Sequence, residues 1–349
     1  MKLLKIGVIF TLLFGSALTA QGTRADEKQM GGYSVTKGKA GEEINPKTGY
    51  YDLKMTPGET REITVILKNN TDKEIGVNQS IFTSHTNTNG EADYTSLAKE
   101  YDKSLKVKLH EIITLKEEGK VKLDKQSEKE LTATIKLPKD VPTGILLGSW
   151  YFLKDDQVAK STKKGMGVKT QIAFSLPIKI TVGNEIPEPN LNLVDIQAGM
   201  DYFKKSYLGR VQNDQPALMT KLTFLAKVTK KGSDEVLFKN EMSGRSMAPN
   251  SNYQFPVHLN EKQAQAGEYT YSLEVISEDP KWESKNWRWE KDFTITKEEA
   301  EKINKESLND PKPEETIPVW LIVLLTVFGL GFVSLLVYII VSKKRKRRE

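Results

Sequence analysis

Apolar and polar residues alternate along most of this chain with a period of two. Ile63, Val65 and Leu67 stand between polar neighbours, and the same alternation recurs over residues 51–55, 131–137, 172–182, 222–228, 269–275 and 287–295. Because successive side chains of a β-strand point to opposite faces, each segment predicts a strand with one buried and one solvated face. Gly144–Leu153 is almost entirely apolar, which predicts a central strand covered on both sides.

Turn residues such as Asn89-Gly90 separate the predicted strands. Short alternating strands with turns between them predict an all-β protein built from antiparallel sandwiches. Residues 183–189 contain two prolines and read as an interdomain linker. Thr296 and Glu299 match a capping box, in which each side chain satisfies a backbone N–H of the other residue, and this predicts a short helix after the last strand.

Val319–Val341 is an apolar run that reaches ~34 Å as a helix, enough to cross a hydrocarbon core of ~30 Å. Basic residues mark the cytoplasmic side of such a span, and six of them follow it: Lys343, Lys344, Arg345, Lys346, Arg347 and Arg348. At the other end, Lys2 and Lys5 precede the short apolar stretch Ile6–Leu18, as in a cleaved signal peptide. We therefore expect a single-pass type I protein with its ectodomain outside the cell; an uncleaved N-terminal helix is the alternative.

The expected organisation follows from these signals. Along the chain it is a signal peptide (1–25), a first sandwich (26–182), a linker (183–189), a second sandwich (190–297), a short juxtamembrane helix with a Pro-containing stalk (298–318), a transmembrane helix (319–341) and a basic tail (342–349).

The net charge of +6 comes from the two ends of the chain. Nine of the 52 cationic residues and one of the 46 acidic residues lie in the signal and the tail, which leaves 43 and 45 and a net charge of −2 for the ectodomain. We therefore expect no nucleic-acid partner, since the basic footprint of such proteins is missing. The chain has no cysteine, which excludes a disulfide scaffold and, with the Lys-rich surface, indicates a Gram-positive bacterium.

The sequence offers no convincing catalytic or metal-binding set. His85, His110 and His258 have no partner at a zinc-ligand spacing and read as solvated side chains. Residues 85–96 place Gly90 at the sixth position of an EF-hand-like loop, but His85 and Ser96 stand where acidic ligands are required. We expect a non-enzymatic protein without a cofactor.

Two features could bind a partner. The connection Thr83–Ser104 is long and polar, and such loops are often functional. Asn and Asp can hydrogen-bond to glycan hydroxyls and Tyr can stack on a sugar ring, so the glycan-binding candidates are Asn87, Asn89, Asp93, Tyr94 and Tyr101; an ordinary turn is the alternative. Trp282 is a candidate for contact with a protein partner, whereas Trp287 and Trp289 alternate with Phe293 and are expected to pack in the core.

The order of several short motifs resembles a known family. In the first half these are Tyr50–Lys54 before Pro57-Gly58, Asn69–Asp72, Thr86–Gly90 with Asp93-Tyr94, and Thr143–Ile145 with Gly148 before Tyr151-Phe152. In the second half they are Gln212-Asn213 before Pro216, Met247–Ser251, Gly267–Tyr269, Trp289 and Phe293–Thr296. Together with the predicted anchor, they make the chain similar to the WxL-interacting proteins of Gram-positive bacteria.

The resemblance implies an immunoglobulin-like peptidoglycan-binding domain followed by an immunoglobulin-like host-binding domain. It also implies WxL-domain surface proteins as partners and allows host extracellular-matrix proteins. We therefore expect a surface adaptor, held in the lipid bilayer by its C-terminal helix, that binds peptidoglycan and WxL proteins. A cell-wall-modifying enzyme and a type I cell-surface receptor are the alternatives.

Overall fold

The computed structural model describes residues 32–155, 171–308, 310 and 324–334. The chain divides into two compact units. The first contains the chain up to Ser84, Tyr94–Ala98 and Lys106–Ile186; the second contains His85–Asp93, Lys99–Leu105 and the chain from Pro187 onward. Two segments of the long connection therefore belong to the second unit, although the flanking strands belong to the first.

The first unit is a β-sandwich. The elements up to residue 182 are β1 (Tyr33–Lys37), β2 (Tyr51–Met55), β3 (Thr60–Asn69), β4 (Ile75–Thr83), β5 (His85–Thr86), β6 (Ala92–Asp93), α1 (Leu109–Ile112), β7 (Ile113–Leu115), β8 (Lys120–Leu123), β9 (Glu128–Lys136), β10 (Gly144–Lys154) and β11 (Ala173–Val182). Apart from β5 and β6, which pair with each other, the strands form sheets of order β1-β3-β9-β7 and β2-β11-β10-β4-β8.

The alternating residues of this unit meet in one apolar core. Ile63, Val65 and Leu67 are fully buried, as predicted. Strand β10 is central in its sheet, between β11 and β4, as its apolar sequence predicts. One pairing differs from the antiparallel prediction, because β2 runs parallel to β11. This pairing buries Asp52, whose carboxylate is satisfied by the ammonium of Lys179 at 2.9 Å.

Asn69, the last residue of β3, ties together the strand ends of the first unit. Its buried side-chain amide donates to the carbonyl oxygens of Lys73, Leu123 and Asp124, at 2.8–3.2 Å. Its side-chain oxygen accepts from the backbone N–H and the hydroxyl of Thr71. The turn motif that begins at Asn69 is therefore held by one side chain, whose nitrogen and oxygen atoms are both hydrogen-bonded.

The second unit is also a sandwich, with a three-stranded and a four-stranded sheet. Its further elements are β12 (Leu191–Asp201), β13 (Lys204–Asn213), β14 (Met219–Lys230), β15 (Val236–Met247), β16 (Ser251–His258), β17 (Gly267–Ser277), β18 (Lys285–Ile295) and α2 (Lys297–Glu306). The sheet orders are β12-β13-β16 and β15-β14-β17-β18. This arrangement is typical of immunoglobulin-like sandwiches, and the all-β prediction is confirmed.

Aromatic side chains fill the core of the second unit. Tyr271 is fully buried, and its hydroxyl donates to the carbonyl oxygen of Phe255 at 3.0 Å. Gly209 makes room for this ring, since a Cβ at that position would lie 2.8 Å from it. Asn213 repeats the role of Asn69, because its buried amide donates to the carbonyl oxygens of Ala217 and Ala248.

The predicted capping box and helix are confirmed. The Thr296 hydroxyl accepts from the Glu299 N–H, the Glu299 carboxylate accepts from the Thr296 N–H, and α2 follows. Ala300 and Ile303 on one face of α2 are buried in the core of the second unit. The helix therefore belongs to the fold of this unit.

The predicted signal peptide, most of the predicted span and the basic residues Lys343–Arg348 lie outside the described residues. Residues 324–334 are helical, and their large apolar side chains are exposed. No helix in the described part of the chain is both long and apolar enough to span a bilayer.

Replacing Asn69 by alanine should lower the free energy of unfolding of the first unit by about 3 kcal/mol, because one buried and two partly buried hydrogen bonds to carbonyl groups are lost. Calorimetry of the full chain would measure the change. Asn70→Ala is the matched control, since the Asn70 amide nitrogen has no partner among the described residues. Equal effects of the two substitutions would contradict the role assigned to Asn69.

Candidate functional site

The candidate site is built around the docked loop, by which we mean residues 85–93 and 99–105 on the second unit. Thr86 anchors its first part: its buried hydroxyl accepts from the Ala248 N–H at 3.0 Å and lies 2.5 Å from the Ser251 hydroxyl. Ser251 in turn donates to the Ala248 carbonyl. The chain between β15 and β16 thus receives a side chain from the first half of the sequence.

The tip of the docked loop packs against the middle of the second unit. Gly90 has a φ of +68°, and a Cβ there would lie 2.9 Å from the ring of Tyr253. The carbonyl oxygen of Gly90 accepts from the Ser246 N–H at 2.8 Å. The Arg245 guanidinium donates to the carbonyl oxygen of Asn89 at 3.0 Å. A glycine is needed at position 90 both for the turn and for this close approach.

Asp102 holds the second part of the docked loop. Its carboxylate accepts from the N–H and hydroxyl of Ser104, from the amide of Gln212 at 2.9 Å and from that of Asn252 at 2.7 Å. Burial alone would raise the pKa of Asp102, but these hydrogen bonds outweigh it and hold the pKa below its ordinary value. Asn250 adds a bond from its amide to the Ser104 hydroxyl.

The structure does not gather the five glycan-binding candidates into one cluster. Asn87, Asn89 and Asp93 lie in the β5–β6 hairpin and Tyr101 lies in the second part of the docked loop, whereas Tyr94 belongs to the first unit. The side-chain oxygen of Asn87 accepts from the backbone N–H groups of Asn89 and Glu91 and so shapes the turn. The Asn89 side chain contacts another surface residue of the second unit.

That residue is Tyr202, which is not among the site residues predicted from the sequence. Its hydroxyl donates to the Asn89 side-chain oxygen at 3.0 Å and lies 2.9 Å from the Thr88 hydroxyl. Tyr202 and Phe203 form the two-residue turn between β12 and β13, and both are more than half exposed. A turn that places two aromatic residues where Asn-Gly is usual was the available signal.

The three tryptophans near the C-terminal strand differ in environment. Trp287 and Trp289 pack against the core of the second unit, as predicted, but remain partly exposed at the edge strand β18. Trp282 lies in the loop before β18 and is half-buried. Its indole N–H is buried without a hydrogen-bond partner in the described part of the chain. Trp282 thus keeps an unused donor near the surface.

The outer face of the four-stranded sheet carries a groove of about 690 Å³. Charges of both signs line it, including Lys227, Glu241, Glu274 and Arg288, around the partly buried Leu225. Hydrogen bonds from Arg288 and Asn286 hold the pKa of Glu274 below its ordinary value.

The histidines are less solvated than the sequence indicates. His110 Nδ1 lies 2.7 Å from the Thr83 hydroxyl, and burial lowers the pKa of its ring, with Glu111 opposing this. Burial likewise lowers the pKa of His85 against the effect of Asp93, and His258 Nε2 lies 2.9 Å from Asp201. Within residues 32–155 and 171–308, no group of three or more metal-ligating side chains comes together.

Comparison with protein families decides the identity. Residues 33–154 match the model of the WxL Interacting Protein peptidoglycan binding domain, and residues 163–305 match that of the WxL Interacting Protein host binding domain. The chain belongs to the WxL-interacting protein family. The two models match in the order that the resemblance implies, and both describe binding domains.

Solved structures similar to this WxL-interacting protein include three of fimbrial chaperones. The class 5 fimbriae chaperone CfaA is 10% identical, with 74% of this chain and 99% of that chain covered and a TM-score of 0.31. The CsuC–CsuE chaperone–tip subunit complex from Acinetobacter baumannii is 12% identical, with 68% and 93% covered and a TM-score of 0.32. The E. coli chaperone DraB is 12% identical, with the same coverages and a TM-score of 0.27. No curated protein matches the chain.

The family boundaries do not coincide with the compact units of this WxL-interacting protein. The match to the host-binding domain begins at residue 163, before β11, which pairs with β10 and β2 in the first unit. The match to the peptidoglycan-binding domain includes the docked loop, which belongs to the second unit. A cut at either family boundary therefore separates segments that fold together.

Replacing Asp102 by alanine should release the docked loop, because the amides of Gln212 and Asn252 lose their acceptor. We expect amide hydrogen exchange in residues 99–105 to become about tenfold faster or more, which mass spectrometry would measure on the full chain. Glu100→Ala is the control, since Glu100 is exposed. Unchanged exchange in Asp102→Ala would contradict the anchoring role.

The same carboxylate predicts a pH dependence. Because the pKa of Asp102 is lowered in the folded state, its contribution is complete above the ordinary pKa of about 3.9. It should be lost as the pH falls below that value through the lowered pKa. Exchange protection of the docked loop measured between neutral and acidic pH should therefore fall only at the acid end, and this fall should be absent in Asp102→Ala.

Proposed function

We propose that this chain is a membrane-anchored, non-enzymatic adaptor of the bacterial cell surface that binds peptidoglycan and a WxL-domain protein. The observation that carries the proposal is the match of two binding-domain families in succession, over residues 33–154 and 163–305. The surface association follows from the first of these families.

Two features support anchoring by residues 319–341: the exposed apolar side chains of its described part and the basic residues that follow it. The described residues 324–334 are helical, and Leu325, Phe328 and Leu330 are each more than 60% exposed. Exposed apolar side chains around a helix favour lipid over water as surroundings. Lys343, Lys344, Arg345, Lys346, Arg347 and Arg348 would keep the tail on the cytoplasmic side.

Tethering to the membrane explains how weak contacts can suffice for binding to peptidoglycan. A chain held in the membrane stays near the wall, so its binding to peptidoglycan becomes effectively intramolecular and gains from a high local concentration. The polar tip of the docked loop carries Asn89 on its turn and offers amide groups to a glycan. Asn87, Asp93, Tyr94 and Tyr101 remain candidates on the surrounding loop.

Trp282 is the candidate contact for the protein partner. Its side chain is half-buried in the loop before β18, so part of the indole ring is accessible to a partner. Tryptophan is also enriched among the residues that dominate binding energy at protein interfaces. Host extracellular-matrix proteins are further candidates for the second domain.

Two binding assays test the proposal on the full chain in detergent micelles. The chain should be retained on purified cell-wall sacculi and, separately, by an immobilised WxL-domain protein. Trp282→Ala should weaken capture by the WxL protein about tenfold or more while leaving sacculus binding unchanged. Glu283→Ala is the matched control, because Glu283 is the exposed neighbour of Trp282.

Failure of the chain to bind either sacculi or WxL protein would remove the proposal. Release of muropeptides from the sacculi during the assay would contradict the non-enzymatic role and favour a cell-wall-modifying enzyme.

A further inference from the structure

The turn between β12 and β13 places two aromatic residues in an unfavourable backbone conformation. Tyr202 has a φ of +46° and Phe203 a φ of +64°, and their side chains are 57% and 59% exposed. Positive φ values are costly for bulky residues, and two-residue hairpin turns of this kind favour Asn and Gly. Strained residues that persist at a surface point to a use for their side chains.

The chain that leads toward the predicted span is fixed to this same turn. The buried ammonium of Lys205 lies 2.9 Å from the buried Asp310 carboxylate, which also accepts from the Lys205 N–H and the Ser307 hydroxyl. The Leu308 N–H donates to the Phe203 carbonyl oxygen at 3.1 Å. Leu308 is 75% exposed. Tyr202, Phe203 and Leu308 therefore form one exposed apolar patch, which we call the turn patch.

Covalent geometry places the turn patch within reach of a membrane. Eight residues, 311–318, separate Asp310 from the apolar run that begins at Val319. Eight residues extend to at most ~30 Å, and less when prolines are present. The ion pair between Lys205 and Asp310 keeps the turn patch at the start of this short connection.

We infer that the turn patch inserts into the headgroup layer of the bilayer that anchors the chain. The inference rests on the membrane anchoring in the proposed function. The Tyr202 hydroxyl is already bonded to the docked loop, so the patch presents mainly apolar surface, as aromatic residues at membrane interfaces do. The adjacent Lys204 is exposed and adds attraction to anionic lipid.

Lipid explains the patch better than a sugar does. A glycan site needs several free polar groups beside its aromatic rings, whereas Phe203 and Leu308 supply none. The turn patch would give the second unit a second contact with the membrane and hold its β12–β13 end at the lipid surface.

Site-specific fluorescence tests the inference, since the chain has no native cysteine. Full-length Phe203→Cys, labelled with a polarity-sensitive dye, would be reconstituted in vesicles of phosphatidylglycerol and phosphatidylcholine with a headgroup quencher. We expect about twofold quenching or more, because the dye lies at the interface. Glu283→Cys is the control. It lies beside Lys285, whose ammonium reaches Glu188 and Pro189 at the start of β12, so the turn is a strand length of about 35 Å away.

A second variant keeps the result interpretable. Phe203→Asn should fold, because Asn tolerates positive φ, and it should reduce quenching of a dye at Leu308→Cys toward that of Glu283→Cys. Flotation of the vesicles separates the two proposals. A chain that does not float with vesicles overturns both the anchoring and the turn patch. If the chain floats but the dye at position 203 is not quenched, the insertion of the turn patch is contradicted while the anchoring stands. The same holds if the fluorescence of this dye changes only when peptidoglycan fragments are added.

Discussion

Both sandwiches are held together by an apolar core between their sheets, because no covalent cross-link joins the strands. The chain has no cysteine, so burial must hold the sheets together, and the ends of the strands must then satisfy their own backbone groups. Asn69 and Asn213 do this at equivalent places, as the last residues of β3 and β13. Each is a buried amide that joins loops distant in sequence. Core burial supplies stability, and these amides fix which strand ends meet.

The docked loop adds a second kind of dependence. Thr86 and Asp102 come from the first half of the sequence, yet their partners are Ala248, Gln212 and Asn252 in the second unit. All of these bonds involve buried or partly buried polar groups, which are costly to leave unpaired. The second unit is consequently not a contiguous stretch of sequence. The residues that match the host-binding family model are therefore not the same as the residues that make up the second unit.

The sequence predicts what depends on local periodicity and misses what depends on distant pairing. Alternation located the buried faces of β3 and β17, and the Thr296 capping box located α2, because these signals lie within a few residues. The parallel pairing of β2 with β11 and the membership of the docked loop have no local signature. The polar segment 83–104 reads as a functional loop, but its side chains Asn87 and Asp102 are largely engaged in holding it. Tyr202 was missed because its signal, a pair of aromatic residues in a hairpin turn, can be recognised only when the turn between β12 and β13 has been located.

The turn between β12 and β13 connects these observations. Each bulky residue at positive φ costs about 1–2 kcal/mol, and Asn or Gly would avoid most of that cost. Three neighbours nevertheless converge on this turn: the docked loop through Asn89, the buried Lys205–Asp310 pair, and Leu308. These three contacts hold the backbone of the turn and the chain that follows α2 together. The exposed aromatic rings therefore lie at the point from which the chain continues toward its apolar segment.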